Sequence, residues 1–252
     1  MKKKQLISII LTYYKKKRFI EKTLSSINKQ SYKNFEIILV YDDSDKNELY
    51  FIKKIIKRYK KIKLIINKKN FGVAKSRNIG IKKSKGQLIS FIDADDLWKP
   101  NKLKEQVKLM LKNNSDISYT AFNVINDTGN IINTRNVSKS INYLKLIKSC
   151  EIGLSTVVAK RKVFRYSKFP NLKTQEDFAL WLKLIKLNLN FLPINRVLSS
   201  WRKTNDSLSS NKIQKLFDAF KLFYKIENKN FIISIISVVI LLINKIKKTK
   251  YE

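Results

Sequence analysis

The stretch SFIDADDLWKP, residues 90–100, sets Asp93, Asp95 and Asp96 at the end of an apolar run. Asp42 and Asp43 end a second run, and Glu176 and Asp177 open the segment EDFALWLKLI. In extended chain, alternate residues share a side, so Asp93 and Asp95 point one way and Asp96 the other. Two carboxylates on one side repel unless a cation lies beside them, and hard oxygen ligands suit Mg²⁺ or Mn²⁺. The plainer reading is that acids at strand ends cap helices or solvate a loop, and D-x-D alone is too short to decide. The chain has no histidine and a single cysteine, Cys150. This removes zinc–histidine sites, an internal disulfide framework and Ser-His or Cys-His nucleophiles. Acid–base chemistry is left to carboxylates, Lys or Tyr.

Something must hold these acids in place. Residues 6–11, 36–41, 62–66 and 87–92 are short, near-continuous apolar runs, the pattern of strands covered on both faces. Between them Ile20, Leu24 and Ile27 recur at helical spacing, as do Ile52, Ile55, Ile56 and Tyr59. That is βαβα, a mainly parallel sheet with flanking helices. A third helix is expected over about 72–83 and a fourth from Pro100, a residue that suits a first helical position. Residues 117–123 and 155–160 read as strands, 126–129 as a turn and 174–187 as a helix, an elaboration of the same sheet. Ligands of open α/β sheets gather at the carboxyl ends of the strands. The acids at 42–43 and 93–96 therefore belong on one edge.

The 252 residues suffice for one sizeable core. The expected division is residues 1–210 as the main domain, with a half at 1–100 and a half at 101–210, and 211–252 as a C-terminal helical appendage. The formal net charge of +35 suggests nucleic acid at first sight. Arginine, however, which reads base edges and phosphates, is sparse here. Lysine is instead spread among Ile and Asn, as a solvated surface from biased coding would have it, with attraction to an anionic membrane leaflet as the other reading. The opening MKKKQLISIILTYYKKKR imitates a signal peptide, but its apolar run is shorter than an h-region and lacks a small-residue cleavage site. It reads as the first strand of a cytoplasmic protein.

Three segments, ISIILTYYKKKRFIEKTLSSINKQSYKNFEIILVYDDSD, NKKNFGVAKSRNIGIKKSKGQLISFIDADDLWKP and TQEDFALWLKLI, together resemble the family-2 glycosyltransferases with the GT-A fold. The resemblance covers nearly all of the first hundred residues in register and a patch near 174–186. It implies an α/β nucleotide-diphospho-sugar transferase fold and an inverting transfer from a nucleotide-diphosphate sugar, UDP-sugar favoured, to a hydroxyl of a saccharide or lipid-linked acceptor in bacterial surface-polysaccharide assembly. By the same resemblance, Thr12 and Tyr14 lie in the loop that receives the base, Asp42 accepts from a base N–H, and Arg77 faces the nucleotide or its phosphates. Asp93 lies near the ribose, Asp95 holds a Mg²⁺ or Mn²⁺ that bridges the diphosphate, and Asp177 is the base that activates the acceptor hydroxyl. Arg202, in WRKTNDSLSS, closes over the diphosphate, with Ser207 a weaker candidate. The family's usual PTYN reads TYYK here and its DDGS reads YDDS. Tyr13, Tyr14 and Tyr41 have a core-packing alternative, the acids of EDF a helix-dipole one, and Arg202 that of a surface arginine.

Residues 231–243, FIISIISVVILLI, carry no charge but are too few to span a bilayer. With Leu216, Phe217, Phe220 and Phe223, basic borders at Lys215, Lys221 and Lys225, and NKIKKTK beyond, they suggest helices lying on an anionic membrane surface. That places the protein peripherally at the inner face of the cytoplasmic membrane. A packed helical hairpin or an oligomer contact is the alternative. Two other function classes remain open from sequence: a Mg²⁺-dependent D-x-D phosphohydrolase, and a non-catalytic basic module binding membranes or nucleic acid.

Overall fold

The computed structural model describes residues 4–204 and 211–250. The boundary expected at 210, and Ser207, lie outside the described residues. Strands β1 (Ile7–Tyr13), β2 (Phe35–Tyr41), β3 (Ile62–Ile66) and β4 (Leu88–Asp93) are the four apolar runs, each within two residues of expectation at either end. They are parallel, in the order β3-β2-β1-β4. Every residue of β1 is buried, as a strand covered on both faces requires.

The connections are helices α1 (Lys17–Asn28), α2 (Lys46–Ile56) and α3 (Val73–Lys83). Ile20, Leu24 and Ile27 of α1 and Ile52 and Ile55 of α2 enter one core with Ile7, Ile9, Leu11 and Tyr13. Ala74 of α3 enters the other core with Ile10, Ile38 and Val40. Alternate residues of β1 thus face opposite layers, the period-2 signature of a strand. Helix α3 comes so near the sheet at Gly80 that a Cβ there would lie 2.5 Å from Ile10 Cγ2. Only glycine permits that approach.

The second half was legible in outline only. Strand β5 (Leu97–Trp98), helix α4 (Lys102–Lys112), strand β6 (Ile117–Ile125) and strand β7 (Ile131–Arg135) are followed by helix α5 (Tyr143–Lys148). Strand β8 (Val158–Lys160), helices α6 (Val163–Tyr166) and α7 (Glu176–Lys186) and strand β9 (Phe191–Arg202) complete it. The sheet continues β4-β8-β6-β9-β5, with β7 on β6. β8 is antiparallel to both β4 and β6, and β9 is parallel to β6, so the sheet is parallel in its first half and mixed in its second. The strand expected over 155–160 is a 3₁₀ turn, Leu154–Thr156, followed by only three residues of strand.

Helix α4 encloses an anomaly. Lys102 is fully buried, its Nζ 4.2 Å from the Trp98 ring centroid and without a hydrogen-bond partner. Burial pushes its pKa well below the ordinary 10.5. The unfolded chain then binds a proton that the folded one refuses, so stability rises with pH up to about 10.5. Lys102→Met should stabilise the fold at pH 7 by at least about 1–3 kcal/mol, the cost of a buried unsatisfied polar group, and the gain should shrink as pH rises to 10.5, leaving only the part owed to the neutral amine. Denaturant melts at both pH values check this; an unstabilised variant at pH 7 would refute it.

Helix α8 (Lys212–Lys221), a π-turn (Leu222–Ile226) and helix α9 (Phe231–Lys250) close the chain. Leu222 and Phe223 are fully buried in the core that α3 and α7 share, and Val238 and Leu241 of α9 pack on its rim. Much of its apolar surface is open: Phe231, Ile232, Ile236 and Ile243 are all exposed. Among the described residues, no helix is long and apolar enough to cross a membrane.

Candidate active site

Backbone register puts the two acid clusters on one edge. Thr12 of β1 is level with Asp93 of β4, and Tyr13 with Tyr41 of β2, so Asp42 and Asp93 leave the sheet on either side of the β1 terminus. This is where the strand order reverses about β1, the crevice in which α/β sheets bind ligands. Thr12 sits within β1 rather than in the loop after it, and is buried. Tyr14 is the first loop residue and stands 40% exposed, with the Lys15 ammonium 5.3 Å from its ring centroid. Tyr13 and Tyr41 are core residues, stacked at 5.5 Å, with hydroxyls given to Glu48 and to the Asp45 carbonyl. Burial raises the pKa of both phenols.

Asp42 accepts from Asn67 Nδ2 at 2.7 Å and from the Phe71 amide at 2.8 Å, both on Oδ1. The Asn67 amide also donates to Ser76 Oγ, at the start of α3. The carboxylate is thereby aimed by the β3–α3 loop, and nothing in the sequence beyond the NKKN cluster announced Asn67. Asp43 receives the Lys15 amide at 3.2 Å. The next residue, Lys16, places its ammonium 2.8 Å from Asp95 Oδ2. The β1–α1 loop therefore touches both acid clusters. Lys16 was not identifiable from sequence, being one lysine in a run of three.

The DADD stretch does not stay extended. The Asp96 amide donates to the Asp93 carbonyl at 3.1 Å, turning the chain. Expectation placed Asp93 and Asp95 on one side by strand alternation; here the turn sets them. Asp96 is swallowed by the fold, accepting from Ser155 Oγ at 2.5 Å and the Arg202 amide at 2.9 Å. Burial lifts its pKa well above the carboxylate range, with Asp95 and Asp93 adding to the lift. Asp95 is also raised by burial, against the pull of Lys16. Arg202 is buried, not a surface arginine. Its Nε donates to the Asp95 carbonyl at 2.9 Å and its Nη1 to those of Asn126 and Asp127, so it fastens the turn on which Asp95 rides.

Arg77 joins the halves. Nη2 lies 2.7 Å from Asp93 Oδ1 and Nη1 is paired with Glu176, the residue before Asp177. Burial works against the guanidinium charge, but the facing Asp93, Glu176 and Asp177 outweigh it and raise its pKa. Burial pushes Glu176 up to about 7, opposed by Arg77. Asp177 is raised by burial as well, with Arg77 opposing and Asp93 assisting. Asp177 is only half-buried, its Oδ1 accepting the Phe178 amide at 2.7 Å. The helix bearing it starts at Glu176, two residues later than the periodicity implied, because Gln175 is left-handed (φ 61°). Non-glycine residues in that region are strained, and such strain clusters at functional sites.

Among the described residues, no three His, Cys, Asp or Glu side chains converge as a protein-only metal cage. Mg²⁺ asks for less: one or two carboxylates, with substrate phosphates and water filling the octahedron. The Asp93–Asp95 turn fits that donor set, with Lys16 as competitor for Asp95.

Residues 8–172 match the family model described as Glycosyl transferase family 2. The chain is 35% identical over 212 residues, 84% of its length and 82% of the relative's, to UDP-Glc:alpha-D-GlcNAc-diphosphoundecaprenol beta-1,3-glucosyltransferase WfgD of Escherichia coli. It is 29% identical over 90% of its length and 91% of the relative's to putative teichuronic acid biosynthesis glycosyltransferase TuaG of Bacillus subtilis. Among solved structures, residues 1–349 of S. aureus TarS in complex with UDP-GlcNAc superpose with a TM-score of 0.73, at 20% identity, covering 94% of this chain and 71% of that one. The mannosyltransferase PcManGT of Pyrobaculum calidifontis, in complex with GDP-Man and Mn²⁺, gives 0.69 at 15% identity, over 91% and 66%.

Proposed function

Given that the chain belongs to glycosyl transferase family 2 and is a glycosyltransferase, we propose that it moves a sugar from a UDP-sugar to a hydroxyl of a lipid-linked acceptor, with inversion. The observation that carries this reading is the Arg77 bridge from Asp93 to Glu176. It sets the acids of the nucleotide edge beside the helix start that bears Asp177. Family membership sets aside the phosphohydrolase and the non-catalytic basic module. The donor base stacks on Tyr14 and gives an N–H to Asp42, whose Oδ2 has no protein donor among the described residues. Thr12, level with Asp93 near the end of β1, lies beside the base, and Arg77 orients Asp93 toward the ribose. Support for a UDP donor and a polyprenyl-diphosphate-type acceptor comes from the names of the WfgD relative and the TarS complex.

Asp95 is the residue that would hold Mg²⁺ or Mn²⁺. When bound there, the cation neutralises charge growing on the departing diphosphate without proton transfer. Lys16 adds positive charge at the same place, and Arg202, fixed behind the turn, keeps the Asp95 backbone where the diphosphate arrives. Asp177 takes the proton from the acceptor oxygen as it attacks the anomeric carbon opposite the diphosphate. The attack is a single in-line displacement, so the configuration inverts. A panel of sugar nucleotides, each with and without Mn²⁺, tests the assignment by thermal shift. Metal-enhanced stabilisation by a UDP-sugar is expected; stabilisation by none of the panel would refute it.

Peripheral docking at the inner face of the cytoplasmic membrane belongs to the same reading. Helix α9 has no acidic residue and keeps a line of large apolar side chains in the open, the composition of helices that lie in an anionic interface. Replacing Ile232, Ile236 and Ile243 with Ser spares Val238 and Leu241, which pack inward. The variant should lose most of its sedimentation with anionic vesicles. Salt should weaken wild-type binding only in part, because apolar insertion is not screened. Equal sedimentation of variant and wild type would overturn the docking.

A further inference from the structure

We propose that Asp218, on the C-terminal helix α8, is a positioning residue for Asp177. The proposal rests on reading Asp177 as the base and adds what holds it there. Asp218 is 2% exposed. Its Oδ2 accepts two hydrogen bonds from one residue, the Thr174 amide at 2.9 Å and the Thr174 hydroxyl at 2.9 Å. Thr174 is itself buried. One residue on, Gln175 Nε2 donates to the Lys215 carbonyl of the same helix at 3.0 Å.

These three bonds grip the two residues immediately before the Glu176–Asp177 pair. They surround the single left-handed step, Gln175 at φ 61°, that turns the chain into α7. That step has no side-chain cap of its own. A strained backbone persists only where its surroundings over-determine it, and α8 supplies that restraint from outside the sheet. On the other side of the pair, Arg77 holds Glu176. Asp177 is thus set between a clamp from Arg77 and a clamp from the C-terminal helices, whose three bonds end on Thr174 and Gln175.

Loosening the second clamp should move the base and leave the donor site alone. A displacement of about 1 Å at a reacting group costs up to about 10²-fold in rate. Asp218→Ala leaves both Thr174 donors unpaired, and kcat should fall about 10-fold or more with donor KM nearly unchanged. Asp218→Asn keeps an amide oxygen that can accept both bonds, and should recover most of the loss. Gln175→Gly removes the Lys215 link while suiting the positive φ; its kcat should fall although its melting temperature does not.

Steady-state kinetics with a UDP-sugar below each variant's melting temperature, beside Asp177→Asn, decides the matter. Wild-type kcat in Asp218→Ala, or a donor KM that rises as far as kcat falls, overturns the positioning role. If Asp218→Ala does not fold, wild-type kcat in Gln175→Gly overturns it. Activity retained in Asp177→Asn would instead bring down the base assignment itself.

Discussion

Asp177→Asn should lower the rate of sugar transfer by about 10²–10⁴-fold, the usual worth of a positioned general base, while donor affinity stays close to wild type. The amide keeps the size of the side chain and can still accept the Phe178 N–H, so the start of α7 should survive. What it cannot do is take the acceptor's proton. Because burial raises the Asp177 pKa, the acid limb of wild-type kcat/KM should lie above the ordinary carboxylate value of 3.8. Below that limb the base is protonated and transfer stops. Rate and affinity measured together by single-turnover transfer and donor titration check both halves. A rate within a few-fold of wild type would remove Asp177 from the mechanism.

Asp95→Asn should abolish the part of donor binding that depends on Mg²⁺ or Mn²⁺. Even outer-shell changes around a metal typically cost about 10–100-fold in affinity, and loss of a direct ligand should cost at least that. The fold should tolerate the change: among the described residues the ion-pair partner of the Asp95 side chain is Lys16, and Arg202 holds the backbone carbonyl, which the substitution preserves. The contrast is Asp96→Asn. Asp96 is enclosed by Ser155 and the Arg202 amide, so its substitution should act on stability rather than on metal-dependent binding. Calorimetric titration with a UDP-sugar, with and without Mn²⁺, separates the two aspartates. An unchanged metal effect in Asp95→Asn would end its role as ligand.

The first half of the sheet was readable because its signals are local. Four apolar runs and the helical spacing of Ile20, Leu24 and Ile27 fix strands and helices within themselves, and parallel order then puts Asp42 and Asp93 on one edge. The second half escaped where a signal depended on pairing. Strand β9 is twelve residues long, but Pro193 and Arg196 break its alternation. The reason is visible in its ladder with β6, whose register shifts between Thr120 and Phe122. The three-residue β8 is too short to show a period and exists because β4 and β6 flank it.

At the site, residue type announced the acids but not their partners. DADDLW reads as alternating strand until the Asp96–Asp93 turn bond is known, and the separate fates of Asp95 and Asp96 follow from that turn. Arg202 was legible as important, yet its buried contacts with carbonyls are long-range facts. Lys16, Asn67 and Asp218 act across 79, 25 and 44 residues of chain respectively. No window of sequence joins such pairs.

The measurement that bears most directly on the whole account is the anomeric configuration of the product, read by NMR after the wild-type enzyme has consumed an α-linked UDP-sugar in the presence of a lipid-linked acceptor. An acceptor oxygen deprotonated by Asp177 and attacking opposite the diphosphate gives a β-linked product. An α-linked product would mean that the sugar leaves and returns on one face, and would contradict the single displacement on which the roles of Asp95, Arg77 and Asp177 rest.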